Sequence, residues 1–173
     1  MDNYTIVFHQ LFIAEIKRRL FEENQARIVQ CLHSLSEEEI WFRPNENSNS
    51  VGNLVLHLCG NITQWVVAGF GKAEDHRDRQ AEFDERRLIP KEILLQQLAQ
   101  VMDAVKVVID ELSPDQLLSA VQVQGFTEHG ISILVHVTEH FSYHVGQITY
   151  IVKLLKNKDM GYYAGLNLNQ TGK

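Results

Sequence analysis

Positive charge is in short supply in this 173-residue chain. Lys and Arg number 16 against 22 Asp and Glu, a net charge of −6 with histidine neutral. That excludes a nucleic-acid platform, because a phosphate backbone needs clustered cations. Proline is scarce too: three prolines and ten glycines argue against a loop-rich β-sandwich or a disordered chain. No run of about 18 apolar residues occurs, so no transmembrane helix is expected. The opening Met1-Asp2-Asn3-Tyr4 lacks a cationic stretch leading into an apolar one, so no signal peptide is expected. Cysteine is limited to Cys31 and Cys59, in no C-x-x-C arrangement. Without a secretory signal, both read as reduced, buried residues of a cytoplasmic protein.

What is present suits a globular fold. Hydrophobic residues make up 45% of the chain, and the length suggests one domain over 1–173. Apolar spacing predicts four long helices, at about 4–33, 50–68, 90–112 and 131–156. The first carries Val7, Leu11, Ala14, Leu20, Ile28 and Leu32 on its stripe; Ser36 with Glu39 then forms a capping-box pattern. Ser50 is a natural N-cap for the second helix, and Pro90 suits the first turn of the third. The third stripe is Ile93, Leu94, Leu98, Val101, Val105, Val108 and Leu112. Residues 69–87 are dense in charge without an apolar stripe, and read as a long exposed connection. Val121-Gln122-Val123-Gln124-Gly125 alternates like a strand but has no evident partner, so it reads as an extended link. Tyr162 and Tyr163 are candidate anchors for the tail. The expected fold is all-α: a four-helix bundle, with the charged connection allowing a crossover.

Histidine is the residue in excess, with eight copies. His136, His140 and His144 recur every fourth residue of the last helix, within about 80° of arc. Gln147 shares that arc, and Ile133, Val137, Ile151 and Leu155 lie on the same side. The imidazoles therefore face the bundle interior, where each needs a partner. A single histidine there reads as a satisfied core residue, but three in register point to a divalent metal. Such an ion takes two imidazoles at i and i+4 from one helix. The spacing is that of H-E-x-x-H, yet Phe141 follows His140, so the general-base glutamate of that motif is missing. A third ligand must come from elsewhere, and His57 on the second helix is the best placed. His136 has three readings: a ligand, a hydrogen-bond donor to the site, or a core residue. Asn61, Trp65, Tyr143 and Gln147 are candidates to line the pocket. His9, His33, His76 and His129 fall near helix ends or in polar connections and read as solvated or capping.

Ser50-x6-His57 and His140-x3-His144-x-Gly146-Gln147 together resemble the DinB/YfiT-like metal-dependent superfamily, nearest to its DUF1572 branch. The Pro44–Ser48 loop, the Asn53–Leu58 core and Asp78-Arg79…Glu82-Phe83 carry the same likeness, which runs from about residue 10 to the tail. The resemblance implies an up-down-down-up four-helix bundle, often a homodimer, with His57, His140 and His144 as metal ligands. It implies no such role for His136. Where relatives carry arginine after the last histidine this chain has Val145, so the resemblance carries over no substrate contact from that position. Some superfamily members are S-transferases or isomerases that use low-molecular-weight thiols such as bacillithiol or mycothiol, and many have no assigned reaction.

Three imidazoles leave metal positions open, as in catalytic sites. The leading expectation is activation of a low-molecular-weight thiol for attack on a small-molecule electrophile, an S-transferase-like reaction. The alternatives are hydrolysis by metal-bound water and a non-enzymatic, stress-related metal-binding protein. No catalytic Ser or Cys is assigned, and Cys59 projects away from His57. Nickel, zinc, iron and manganese all suit the ligand set. Neither a nucleic-acid nor a membrane partner is expected. A homodimer is expected, through an apolar strip shared by the first and third helices.

Overall fold

A computed structural model describes residues 3–172. Helix α1 occupies residues 3–34, α-helical at Asn3–Lys17 and Ala26–Ser34 around a π-helical stretch at Arg18–Gln25. A short α2 (Glu37–Ile40) leads to α3, which is α-helical over Val51–Ile62 and π-helical over Thr63–Ala68. Then come α4 (Arg79–Asp84), α5 (Lys91–Glu111), α6 (Pro114–Leu118), β1 (Ala120–Val123), β2 (Phe126–His129) and α7 (Gly130–Lys156). The four long helices α1, α3, α5 and α7 form the bundle. No helix among the described residues is long and apolar enough to cross a membrane.

Contacts along the helices fix their directions. Cys31 meets Thr149 at the far ends of α1 and α7, so these two run parallel. Lys17 pairs with Asp110, and Glu37, just beyond α1, accepts from the Lys91 N–H, so α5 runs against α1. His57 meets His140 and Trp65 meets His136, so α3 runs against α7. The topology is up-down-down-up.

The π-helical stretches have a packing consequence. Ile16, Leu20, Asn24, Ile28 and Leu32 are all buried, four residues apart. On a straight α-helix each such step drifts about 40° around the axis, so four steps would carry the stripe off the core face. A wider turn absorbs that drift. The same device in α3 supports two stripes at once. Leu54, Leu58, Ile62 and Val66 face the core, while His57, Asn61 and Trp65 share the adjoining face.

Both expected caps form. The Ser36 hydroxyl accepts from the Glu39 N–H while the Glu39 carboxylate accepts from the Ser36 N–H at 2.7 Å. Ser50 and Asn53 make the same reciprocal pair at the start of α3. The Asn53 amide also donates to the Glu82 and Glu85 carbonyls at 2.9 and 3.1 Å, tying α4 onto α3.

Several expectations need correction. Residues 121–125 are not an unpaired extended link: β1 pairs antiparallel with β2, Val123 opposite Phe126. Gln124 and Gly125 both have positive φ, the requirement of a two-residue hairpin turn. The charged connection is not simply solvated, since it folds back as α4 with Asp78 capping its first turn. Pro90 sits one position earlier than expected, as the N-cap of α5. Val7 and Leu11 are not core; Leu11 is 66% exposed and shares an open face with Tyr4 and Phe8. Ile93 is likewise exposed, one residue and about 100° from the buried Leu94. In the tail, Tyr162 bonds Thr149 at 2.8 Å and lies 3.3 Å from the Cys31 sulfur, while Tyr163 stays largely exposed.

Candidate metal centre

Three imidazoles converge between α3 and α7. His140 Nε2 lies 3.1 Å from His57 Nε2 and 3.1 Å from His144 Nε2, and one ligand atom from each ring lies within 4.8 Å of the others. Nitrogens about 2.1 Å from one ion sit roughly 3.0 to 3.4 Å apart, depending on geometry. The spacing fits a shared cation.

The outer nitrogens point to the same arrangement. His57 Nδ1 donates to Glu82 Oε2 at 2.8 Å, and His144 Nδ1 donates to Gln147 Oε1 at 2.7 Å. With those protons placed on Nδ1, both Nε2 atoms present lone pairs to the centre. Burial, reinforced by the neighbouring His144 and His57, pushes His140 down to about 3. Burial also lowers His144 and His136. All three are therefore neutral at pH 7, and for His140 and His144 in the cluster that is the form that ligates. The donor set fits a divalent metal ion.

Glu82 is held in turn. Arg77 Nε donates to Glu82 Oε1 at 2.7 Å and Arg77 Nη2 to Oε2 at 2.9 Å, a two-point pair with both side chains buried. Arg77 Nη1 donates to Gln64 Oε1 at 2.8 Å. Burial alone would raise the Glu82 carboxyl, but the hydrogen bonds from Arg77 and His57 outweigh it and hold Glu82 below the usual carboxylate range. Phe83 covers the His57 ring, with centroids 4.6 Å apart, and Arg79 lies over Phe83. Gly60 makes this approach feasible, since a methyl there would run into the Glu82 carboxylate and Arg77. Arg77 was concealed inside a run of charge, and Glu82 and Phe83 stood out only through the family likeness, with no role at the site. One available signal was the phenylalanine itself, which a solvated loop has no need of.

The remaining candidates separate. Gln147 orients His144, and Tyr143 meets the same ring edge-on at 5.0 Å. Both also line a groove of about 560 Å³ between the 44–49 loop and α7. His136 is not part of the ligand cluster. It stacks on Trp65 at 3.9 Å and lies nearly parallel to His140 at 5.5 Å. Trp65 Nε1 donates to Gln124 on the hairpin turn. Asn61 is buried one turn beyond His57. Cys59 faces away in the core, where burial pushes its thiol up to about 12. The other four histidines match their expected roles. His9 donates to the Leu112 carbonyl, His76 pairs with Glu74 at the surface, and His33 and His129 are exposed.

The profile of a protein family of unknown function, DUF1572, matches residues 8–164. The chain belongs to the DUF1572 family. Its fold is shared by solved DinB-like structures at low sequence identity. One, from Bacillus cereus ATCC 10987, has a TM-score of 0.61 and 15% identity, covering 78% of this chain and 87% of its own. A DinB-like protein from Bacillus subtilis gives 0.64 and 13%, covering 86% and 94%. A conserved protein from Enterococcus faecalis gives 0.66 and 18%, covering 86% and 97%. This DUF1572 chain is thus a DinB-like helical bundle. No curated protein matches it.

Proposed function

We propose that the chain holds one divalent metal ion at His57, His140 and His144 and activates a low-molecular-weight thiol for attack on a small-molecule electrophile. The observation that carries this reading is the convergence of three imidazole nitrogens, two of them on rings backed by acceptors at the other nitrogen. A divalent ion at that position would supply Lewis acidity, making a bound thiol ionise near neutral pH. In such a reaction the thiol proton would go to solvent, the S–C bond would form, and the leaving group would depart with its bonding pair.

The chain's own residues favour an external nucleophile. Cys59 is buried with its thiol protonated, and Cys31 is raised by burial and lies at the tail. Glu82, the carboxylate nearest the cluster, is committed to Arg77 and His57 and so is not free to act as a general base. Its task is to hold the His57 ring. The ligand set suits nickel, zinc, iron or manganese alike.

A homodimer is part of the same proposal, supported by the open apolar face of Tyr4, Val7, Phe8 and Leu11 on α1. A cytoplasmic setting completes it, in keeping with two unpaired, buried cysteines.

Metal analysis of protein from metal-replete growth tests the first half: about one ion per chain is expected, and none in His140→Ala. Folded wild-type protein without metal would overturn the reading. A screen of thiols against an aryl halide tests the second half. Hydrolysis without added thiol would point instead to metal-bound water, and no turnover at all to a binding or stress-sensing role.

A further inference from the structure

Gln147, which accepts from His144 Nδ1, also lines the groove of about 560 Å³ between the 44–49 loop and α7. Tyr143, edge-on to the same ring, lines it too. A space of that size suits a small molecule. Among the described residues, no histidine lines the groove, so it stands apart from the ligand cluster.

The lining defines what would fit. No charged side chain of the described residues contributes to it, in a chain that is 22% charged. A charged ligand would lose hydration there without gaining a counter-charge, so the groove selects neutral molecules. One wall is apolar and aromatic, with Tyr143, Tyr150 and Leu154 exposed along α7. The other is polar: Asn47, Ser48 and Asn49. Arg43 pins that wall, Nε donating to the Ser48 carbonyl at 2.5 Å and Nη2 to the Glu46 carbonyl at 2.6 Å. Asn45 Oδ1 accepts from the Asn47 N–H and the Ser48 hydroxyl. A groove formed in advance spares part of the ordering cost of binding.

Gly146 lies between the two tyrosines, where an added methyl group would meet no atom within 4 Å. The chain's own packing does not call for glycine there, although glycine costs about 1 kcal/mol in a helix interior. Its bareness gives the groove depth. Gln147 Oε1 is taken by His144, which leaves the amide N–H₂ to donate. A flat ring against the tyrosines, with a carbonyl at its edge, meets both the aromatic wall and that donor.

We propose that this groove is a second binding site, for a neutral, flat aromatic molecule bearing an amide or carbonyl, and that Gln147 links its occupancy to the metal centre. An acceptor on Gln147 Nε2 polarises the amide, which strengthens its hold on His144 Nδ1 and so that ring as a ligand. Metal and small molecule then favour each other by the same factor. The link rests on the metal reading above; the site itself does not.

The probe is 2-naphthamide, with 2-naphthoate and 2-naphthylmethylammonium as charged counterparts, each titrated calorimetrically into metal-free protein. The amide is expected to bind at one per chain, at least tenfold more tightly than either ion. Gly146→Leu, which fills the groove, and Tyr150→Ala, which removes a wall, should each weaken it at least tenfold. Leu11→Glu, on the open face of α1, should leave it unchanged. Cobalt-loaded protein should bind the amide at least threefold more tightly than metal-free protein. Equal affinity for an ion, or binding that survives both groove substitutions, would overturn the site. Loss of binding in Leu11→Glu alone would do the same. So would a wild type that takes no amide and a dimer that Tyr150→Ala breaks, which would make this face a subunit interface. Amide affinity indifferent to bound cobalt would overturn the link through Gln147. Failure to take up cobalt would remove the metal reading and the link with it, while the metal-free titration still decides the site.

Discussion

Replacing Glu82 by glutamine separates two roles that the structure combines in one carboxylate. Glu82 Oε2 accepts from His57 Nδ1 at 2.8 Å and so fixes both the ring and its tautomer. Loss of such a partner behind a metal ligand typically costs 10- to 100-fold in metal affinity, or about 1.4 to 2.8 kcal/mol. Glu82 also neutralises the buried guanidinium of Arg77 through two hydrogen bonds. Stripping one partner from a buried ion pair costs about 3 to 5 kcal/mol, because the remaining charge is stranded. Glu82→Gln should therefore lower stability by about 3 kcal/mol and metal affinity by at least tenfold. The two losses part company in the double variant Arg77→Met, Glu82→Gln, which removes the stranded charge. Its stability should return to within about 1 kcal/mol of wild type, while its metal affinity stays depressed. Urea unfolding of the metal-free proteins measures the first quantity and chelator competition the second. Wild-type metal affinity in a stable double variant would refute the assignment of Glu82 as the residue that holds His57.

Further expectations follow from the same geometry. Chelation of the loaded protein should lower its Tm by about 10 °C: binding at 1,000 times Kd contributes about 4 kcal/mol, and 1 kcal/mol shifts a chain of this size by about 2–4 °C. An unchanged melting curve would refute metal binding at a folded site. Metal-free protein should lose stability as pH falls below the ordinary histidine value of 6.5. The folded-state pKa of His140 lies well below that value, at about 3, so below 6.5 the unfolded chain takes up the proton first and unfolding is favoured. Allowing for partial solvent screening of the ring, the loss should reach about 2 kcal/mol by pH 4, and His140→Phe should flatten that slope in urea titrations. Gly60→Ala should displace Glu82 and Arg77 and cost about 1–3 kcal/mol, with weaker metal binding by competition; normal affinity would show that the close approach at Gly60 is dispensable. Leu11→Glu should convert a dimer to a monomer in sedimentation analysis, and a wild-type monomer would remove the dimer proposal.

Much of the fold was legible because it rests on local chemistry. Apolar residues at helical spacing and Ser36 and Ser50 as caps act over a few residues, and a reader of the chain can see them. The hairpin shows where such reading stops. Val121–Gly125 displayed a strand's alternation, but its partner, Phe126–His129, is too polar to display one. The outer end of α1 shows the opposite failure: Val7 and Leu11 have core-like spacing, yet the bundle does not extend far enough to cover them.

The site divides along the same line. His140 and His144 share a face by helical geometry alone, and nearness in sequence made that pair visible. His57 comes from 83 residues away, so only the antiparallel docking of α3 on α7 brings its Nε2 to the other two. His136 fits the same periodicity as His140 and His144 but stays out of the cluster, its ring stacked on Trp65. Arg77 and Glu82 were the least legible of all, since a run of mixed charge ordinarily stays in water. The sequence by itself determined four amphipathic helices and a histidine-bearing face. Tertiary structure decided which imidazoles meet, and which charges leave water to hold them, because both depend on contacts between helices rather than along one.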